Sequence, residues 1–333
     1  MSIIKLSICI ATHNRCNFLY DTLISIVNQL TNEVEVIIVD GASTDNTSDM
    51  VAALQKEQPN IKFFYLDKKG GVDQDFCHSV DMAGGKYCWL FSDDDLMKPG
   101  AIGSVLNAIA QDCYSLIIVN SELRSLDMAK IYRERILQFD DNRTYQKDTQ
   151  GQNALLKEVG GYMSFIGCVV IERDEWMKRD KKSYLGTEFI HVGVIFQKFL
   201  PKQSLVISFP YISIRLGNAQ WSQRAFNIWI LNWTKLIWSF TNYLRESKSA
   251  IVPEEPLRQY WKLMYFRAMG IFGRTQYLTA LEQSSPGMTV KIIAGLISIA
   301  SGHALNIFFS VYARLRKRKW MVSELKKSKY SRW

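Results

Sequence analysis

Leu90-Phe91-Ser92-Asp93-Asp94-Asp95-Leu96 is the stretch on which the fold turns. Three adjacent carboxylates follow an apolar run, 87–91, with the length and composition of a strand buried on both faces. Like charges in a row repel, and beside a strand end they cost stability unless something neutralises them. A divalent cation does so, and hard carboxylate oxygens suit Mg²⁺ or Mn²⁺. Taken alone, the triplet reads equally as a solvated acidic turn that opens a helix at Pro99. The flanking sequence decides between the two.

Upstream and downstream, apolar runs at 6–11, 34–39, 61–66 and 116–119 alternate with helix-like segments at 16–30, 45–57, 73–83 and 99–111. Strand and helix in regular succession predict an α/β fold with right-handed crossovers and a mostly parallel sheet. Asp45 reads as a helix cap and Pro99 as a first-turn proline. Ligands of such sheets bind outside the carboxyl ends of the strands. Asp40 ends the second run and Ser92–Asp95 end the fourth, so both acidic features fall on one edge. Beyond it, 121–160 is an excursion of mixed polarity, 164–172 and 205–214 read as strands, and 189–199 reads as a helix. After Arg215 the chain turns helical and aromatic, with Trp221, Trp229, Trp233 and Trp238 close together. A break at 247–256 precedes a helix-like 257–272. The pattern divides the chain into a domain at 1–215, whose halves are 1–120 and 121–215, and a helical, aromatic and basic region at 216–333.

Six cysteines without a CxxC pair predict reduced thiols in a cytoplasmic compartment rather than a disulfide framework or zinc site. Met1 leads straight into the first strand, which predicts no signal peptide. The net charge of +9 is uneven: from Val290 onward there are ten Lys/Arg and one acid, Glu324, which carry the whole excess.

Several of these segments resemble family 2 glycosyltransferases of the GT-A (Rossmann-like) fold. Ser7–Arg15 is similar to their opening strand, and Val36–Asp45 to their second strand and its nucleotide-contacting turn. Gly71-Val72-Asp73-Gln74-Asp75, Gly84-Gly85-Lys86-Tyr87 and Ser92–Asp95 follow in the family's order. The resemblance implies a nucleotide-diphosphosugar held by Thr12, Asn14, Arg15, Asp40, Asp73 and Asp93; for Asp73, capping of the helix that it opens is the competing reading. It implies Mn²⁺ or Mg²⁺ on Asp94, with Asp95 in support. Where this chain has Gly41, family members usually carry a second Asp. The family's base lies in a Glu-Asp pair before a helix, and the nearest match is Glu188 in Gly186-Thr187-Glu188-Phe189-Ile190-His191, with His191 as the alternative.

Residues 214–222, together with Phe189-Ile190-His191, resemble abequosyltransferase-type enzymes of O-antigen assembly. Those move a 3,6-dideoxyhexose from a CDP-sugar to a lipid-linked oligosaccharide. Arg215 would pair with the diphosphate and Trp221 would stack on a sugar; a strand-end ion pair and a core Trp are the competing readings. The 21 uncharged residues of 292–312 are near the ~20 that span a bilayer. Yet Gly295, Ser298, Gly302, Asn306 and Ser310 form a small, polar stripe, which predicts a two-sided helix that packs or lies in the interface. Basic residues 314–319 follow at once and predict the anionic cytoplasmic face of the inner membrane, not nucleic acid, as partner.

The expectation is a metal-dependent glycosyltransferase, peripheral on that membrane face, with abequose from CDP-abequose as the favoured donor. The rivals are another nucleotide-sugar-dependent transferase of surface polysaccharide synthesis and an inactive scaffold of the same fold. A nucleotidyltransferase would need a Gly-rich phosphate loop near the N-terminus, and Thr12-His13-Asn14-Arg15 is not one.

Overall fold

A computed structural model of the chain describes residues 3–218 and 224–331. The chain divides into two compact units, Met1–Arg215 and Leu216–Trp333.

In the first unit, β1 (Leu6–Thr12), β2 (Val34–Asp40), β3 (Ile61–Tyr65) and β4 (Tyr87–Phe91) pair in parallel in the order 3-2-1-4. Every residue of β2 and β4 is buried, which is why these strands read as unbroken apolar runs rather than alternating ones. The crossovers are α1 (Cys16–Val27), α2 (Thr47–Glu57) and α3 (Val72–Asp81). Leu19, Leu23 and Ile26 of α1 share one helix face and pack into the main core with Ile8, Ile10, Val36 and Ile38.

Past the acidic turn come β5 (Leu96–Met97), α4 (Ala101–Ile109) and β6 (Tyr114–Arg124). Pro99 is not a first-turn proline: α4 begins after Gly100, whose φ of 85° suits a residue without a side chain. The strand expected at 116–119 runs on to Arg124 because its continuation pairs with the end of β10 (Gln203–Arg215). Within the presumed excursion lie β7 (Ile131–Arg133), β8 (Arg143–Tyr145) and α5 (Thr149–Val159), whose N-cap Asp148 accepts from the Gly151 amide at 2.7 Å. The strand expected over 164–172 is shorter: two 3₁₀ turns lead into β9 (Val169–Glu172), which inserts antiparallel between β4 and β6. After α6 (Arg173–Met177) comes α7 (Ile190–Phe196). The long strands other than β9 all point the same way, giving a mixed, mostly parallel sheet flanked by helices.

The second unit holds α8 (Trp233–Trp238), entered through a π-helical turn at Asn227–Asn232, then α9 (Arg245–Ser249), α10 (Tyr260–Met269) and α11 (Arg274–Gln283). It ends in α12 (Met288–Ile299), α13 (Gly302–Leu315) and α14 (Lys319–Lys326). Its own cores gather Phe226, Ile230, Leu263, Phe272 and Ala294 in one cluster and Ala268, Phe309, Ala313 and Leu325 in another. The uncharged stretch 292–312 is thus two helices, bent by 94° at a break where Ser301 caps α13. Among the described residues, no single helix is long and apolar enough to cross a membrane. Trp221 lies outside the described residues.

Candidate active site at the strand ends

Thr12 and Asp40 are partners in the β1–β2 register, so both side chains arrive at the same sheet edge. Thr12 Oγ1 donates to Asp93 Oδ2 at 2.8 Å, tying the end of β1 to the acidic turn after β4. Arg15 Nη1 donates to Asp93 Oδ1 at 3.0 Å and Asp94 Oδ2 at 2.8 Å. The chain reaches this arrangement through Asn14, whose φ of 54° is one that Asn tolerates better than most residues. Asn14 Oδ1 accepts from the Thr44 amide at 2.7 Å, and the Asn14 amide donates to Ser43 Oγ at 2.8 Å. Asp45 accepts from the Cys16 amide at 3.0 Å and from Thr47, so it caps α1 as well as α2. The turns after β1 and β2 are therefore knitted together, and residues 14–18 with Asp45 and Asn46 line an open cleft of about 360 Å³.

Asp40 is fully buried. Its Oδ1 accepts from the Ser43 amide at 2.9 Å, while Oδ2 has no hydrogen-bond partner among the described residues. A buried acceptor left unmade costs about 1–3 kcal/mol, so its presence points to a donor that arrives with a ligand.

The three aspartates have separate tasks. Burial, then the charge of Asp94, raises the Asp93 carboxyl, with Arg15 and Thr12 pulling it back. Asp94 is the least buried of the three. Asp95 is 2% exposed, and its oxygens accept from the Arg215 amide at 2.7 Å and from the Ser92 hydroxyl. Asp95 thus ties the acidic turn to β10, and its support of a metal stays a proposal. Arg215 Nε donates to the Asp94 carbonyl at 2.8 Å, Nη1 to the Leu126 carbonyl and Nη2 to Asp21, which braces the turn as the strand-end ion-pair reading expects; its pairing with a diphosphate stays a proposal.

No three Asp, Glu, His or Cys side chains converge on a metal position among the described residues. The donor set that remains, Asp94 with Asp93 beside it, fits a cation held jointly by one or two carboxylates and substrate phosphates.

Glu188 has a φ of 68° and lies two residues before α7. Asp73 holds it there: Oδ2 accepts from the Glu188 amide at 2.9 Å and Oδ1 from the Ile190 amide at 3.1 Å. Burial, with a contribution from the Glu188 charge, pushes the Asp73 carboxyl up to about 6 against the pull of those amides. Asp73, expected on the donor, reaches 115 residues along the chain to the amides of the Glu188 loop. His191 is 1% exposed, its Nε2 lies 2.6 Å from the Met163 carbonyl, and burial pushes it down to about 4. A neutral imidazole that donates to a carbonyl and is shielded from solvent fits the packed-histidine reading, which favours Glu188 over His191 as the proposed base.

One residue of the site carried no role in the sequence reading. Asp75, two positions after Asp73, is 3% exposed and lies over Gly41. Helix geometry held the signal, since residues two apart face different sides.

Residues 7–168 match the family model described as Glycosyl transferase family 2. The chain is similar to abequosyltransferase RfbV of Salmonella typhimurium, 26% identical over 66% of this chain and 69% of that protein. It is also similar to the GalNAc(5)-diNAcBac-PP-undecaprenol beta-1,3-glucosyltransferase of Campylobacter jejuni. That match is 32% identical over 35% of this chain and 38% of the relative, so the chain spans well under half the relative's length there. A solved mannosyltransferase of Pyrobaculum calidifontis, PcManGT in complex with GDP-Man and Mn²⁺, shares the fold with a TM-score of 0.55 at 13% identity, over 98% of this chain and 88% of that one.

Proposed function

We propose that this chain, whose residues 7–168 match the Glycosyl transferase family 2 model, moves a sugar from a nucleotide-diphosphosugar to a lipid-linked oligosaccharide in surface polysaccharide synthesis. The favoured donor is CDP-abequose. The observation that carries the reading is the convergence of Thr12, Arg15, Asp40, Asp93 and Asp94 at the carboxyl ends of three adjacent parallel strands. The resemblance to abequosyltransferase RfbV supports the choice of sugar, and the undecaprenol-linked acceptor in the Campylobacter relative's name supports the lipid carrier.

In this reading Asp40 accepts from the donor nucleotide with its unpartnered Oδ2, and Asp93, already oriented by Thr12 and Arg15, accepts from the ribose. Arg15, which donates to Asp94, can share its guanidinium between that carboxylate and the donor's phosphates. A cation held jointly by Asp94 and those phosphates would neutralise the charge that develops on the diphosphate. Glu188 takes the proton of the acceptor hydroxyl as its oxygen attacks the anomeric carbon. The new glycosidic bond forms while the bond to the diphosphate breaks, its electron pair leaving with the diphosphate. A single displacement inverts the anomeric centre. The exposed apolar faces of α12 and α13 and the basic run 314–319 support attachment to the cytoplasmic leaflet, where the acceptor's lipid resides.

Thermal shifts of the full chain with CDP, UDP, GDP and dTDP, each with Mn²⁺ and with EDTA, test the reading. Stabilisation by CDP that EDTA abolishes, and that Asp94→Ala loses while still folded, is the expected result. Stabilisation by a different nucleotide keeps the transferase and discards abequose; none by any nucleotide brings the scaffold reading forward.

A further inference from the structure

We propose that Asp75 supplies the second carboxylate of the donor-nucleotide site, in the space that Gly41 leaves open, and that it reads cytosine by accepting from the exocyclic amine. The inference rests on the nucleotide-sugar reading above and names its base-specificity residue.

Gly41 follows Asp40 directly at the end of β2, where a side chain would enter the nucleotide site. A Cβ built there would lie 2.9 Å from Asp75 Oδ2. The carboxylate of α3 therefore occupies the volume that a residue-41 side chain would need, and the two cannot coexist without one moving. Gly41 and Asp75 make sense as a pair: one vacates the space and the other fills it from a different element.

Asp75 is 3% exposed, and no ion pair within 4.0 Å is present for it among the described residues. Burying a carboxylate is expensive without a partner. Placement in the first turn of α3 offsets some of that cost through the helix dipole, and the Gly70 amide, Lys69, His13 and His78 add to it. None of these explains why the side chain lies across Gly41, the residue after Asp40, whose Oδ2 is buried without a partner among the described residues. Two carboxylates with acceptor capacity to spare, bordering one glycine, call for a ligand edge rich in donors.

A carboxylate only accepts. Cytosine presents an amine at its 4-position, for which Asp and Glu are the fitting partners, whereas a uracil-type base presents a carbonyl oxygen there. Asp75 would bond the first and repel the second, so it discriminates through an unfavourable contact as well as a favourable one.

Titration calorimetry with CDP and UDP, in Mg²⁺ buffer, on the full-length wild type, Asp75→Asn, Asp75→Ala and the double variant Gly41→Asp/Asp75→Ala tests this. The wild type should bind CDP at least tenfold more tightly than UDP. Asp75→Asn, whose amide can turn a donor toward the 4-position, should lose at least tenfold in CDP affinity while UDP binding holds or improves. The double variant moves the carboxylate to position 41 and should regain part of the CDP affinity that Asp75→Ala alone loses. CDP bound equally by wild type and folded Asp75→Asn overturns the role of Asp75 and leaves the transferase reading intact. A wild type that prefers UDP overturns the cytosine assignment, and one that binds no nucleotide overturns both.

Discussion

Asp73 and Asp75 stand two residues apart in α3 and face different problems, a division that a linear pattern does not display. The Gly-Gly-x-Asp-x-Asp motif marks the helix start and the presence of acids, but Asp73's partners are amides of a loop 115 positions away. The two assignments make opposite predictions. If Asp73 shapes the Glu188 loop, Asp73→Asn leaves one acceptor and one donor facing two amide donors. Then kcat falls by on the order of 10²-fold while donor affinity stays put, because small misplacements of a reacting group cost that much. If Asp73 touches the donor, affinity falls instead. Glu188→Gln provides the reference: turnover lost with nucleotide binding unchanged. The pH dependence follows from the direction of the shift. The folded-state carboxyl titrates near 6, above its ordinary value of 3.8, so the native protein binds more protons than the unfolded chain between about 4 and 6. Stability from this group falls as pH rises through that window and is flat above it. Melting temperatures of wild type minus Asp73→Asn, measured from pH 4 to 7, should decline to a plateau near 6; a difference that rises with pH contradicts the assignment.

At the scale of elements, β1 to β4 were legible because strands buried on both faces leave unbroken apolar runs. The place of β9 between β4 and β6 was not, since strand order is decided by pairing across the sheet and leaves no local mark. The stretch 292–312 shows the same limit. Its small, polar stripe does face inward, with Ser298, Gly302, Asn306 and Ser310 all buried, but one expected helix is two. The opposite faces are left bare: Met288, Ile292, Leu296 and Ile299 on α12, and Ile307, Phe308, Val311 and Leu315 on α13. Spacings of three and four put each set on one stripe. A bent pair of this kind suits shallow burial at the headgroup boundary, with the exposed 314–319 run against anionic lipid. Co-sedimentation with phosphatidylglycerol vesicles should be abolished by Leu296→Glu with Val311→Glu. Neutralising Arg316, Lys317 and Lys319 to Gln removes about 1 kcal/mol each, so binding should weaken on the order of a hundredfold. Unchanged binding in both variants, or equal binding to uncharged vesicles, removes the membrane reading of these helices.

For the whole molecule, the division of labour in the proposed function follows the division of cores. Every residue assigned here to the nucleotide site and to Glu188's support lies within Met1–Arg215, whose main core runs from Leu6 to Ile212. The apolar faces and the basic run lie within Leu216–Trp333, whose clusters draw only on residues from Ala225 onward. Units that each close their own core can unfold as separate cooperative events, and a ligand stabilises only the one that binds it. Scanning calorimetry of the full chain should therefore resolve two transitions. The diphosphate nucleotide at a hundred times its dissociation constant adds about 2.7 kcal/mol to one of them, which for a unit of this size is an upward shift of several degrees. The second transition should not move with nucleotide. Neutralising Asp94 to Ala should erase the shift of the first transition and leave the second where it was. A single transition that moves as a whole with nucleotide would mean that the units melt together, and the helical unit would then share in the stability of the site.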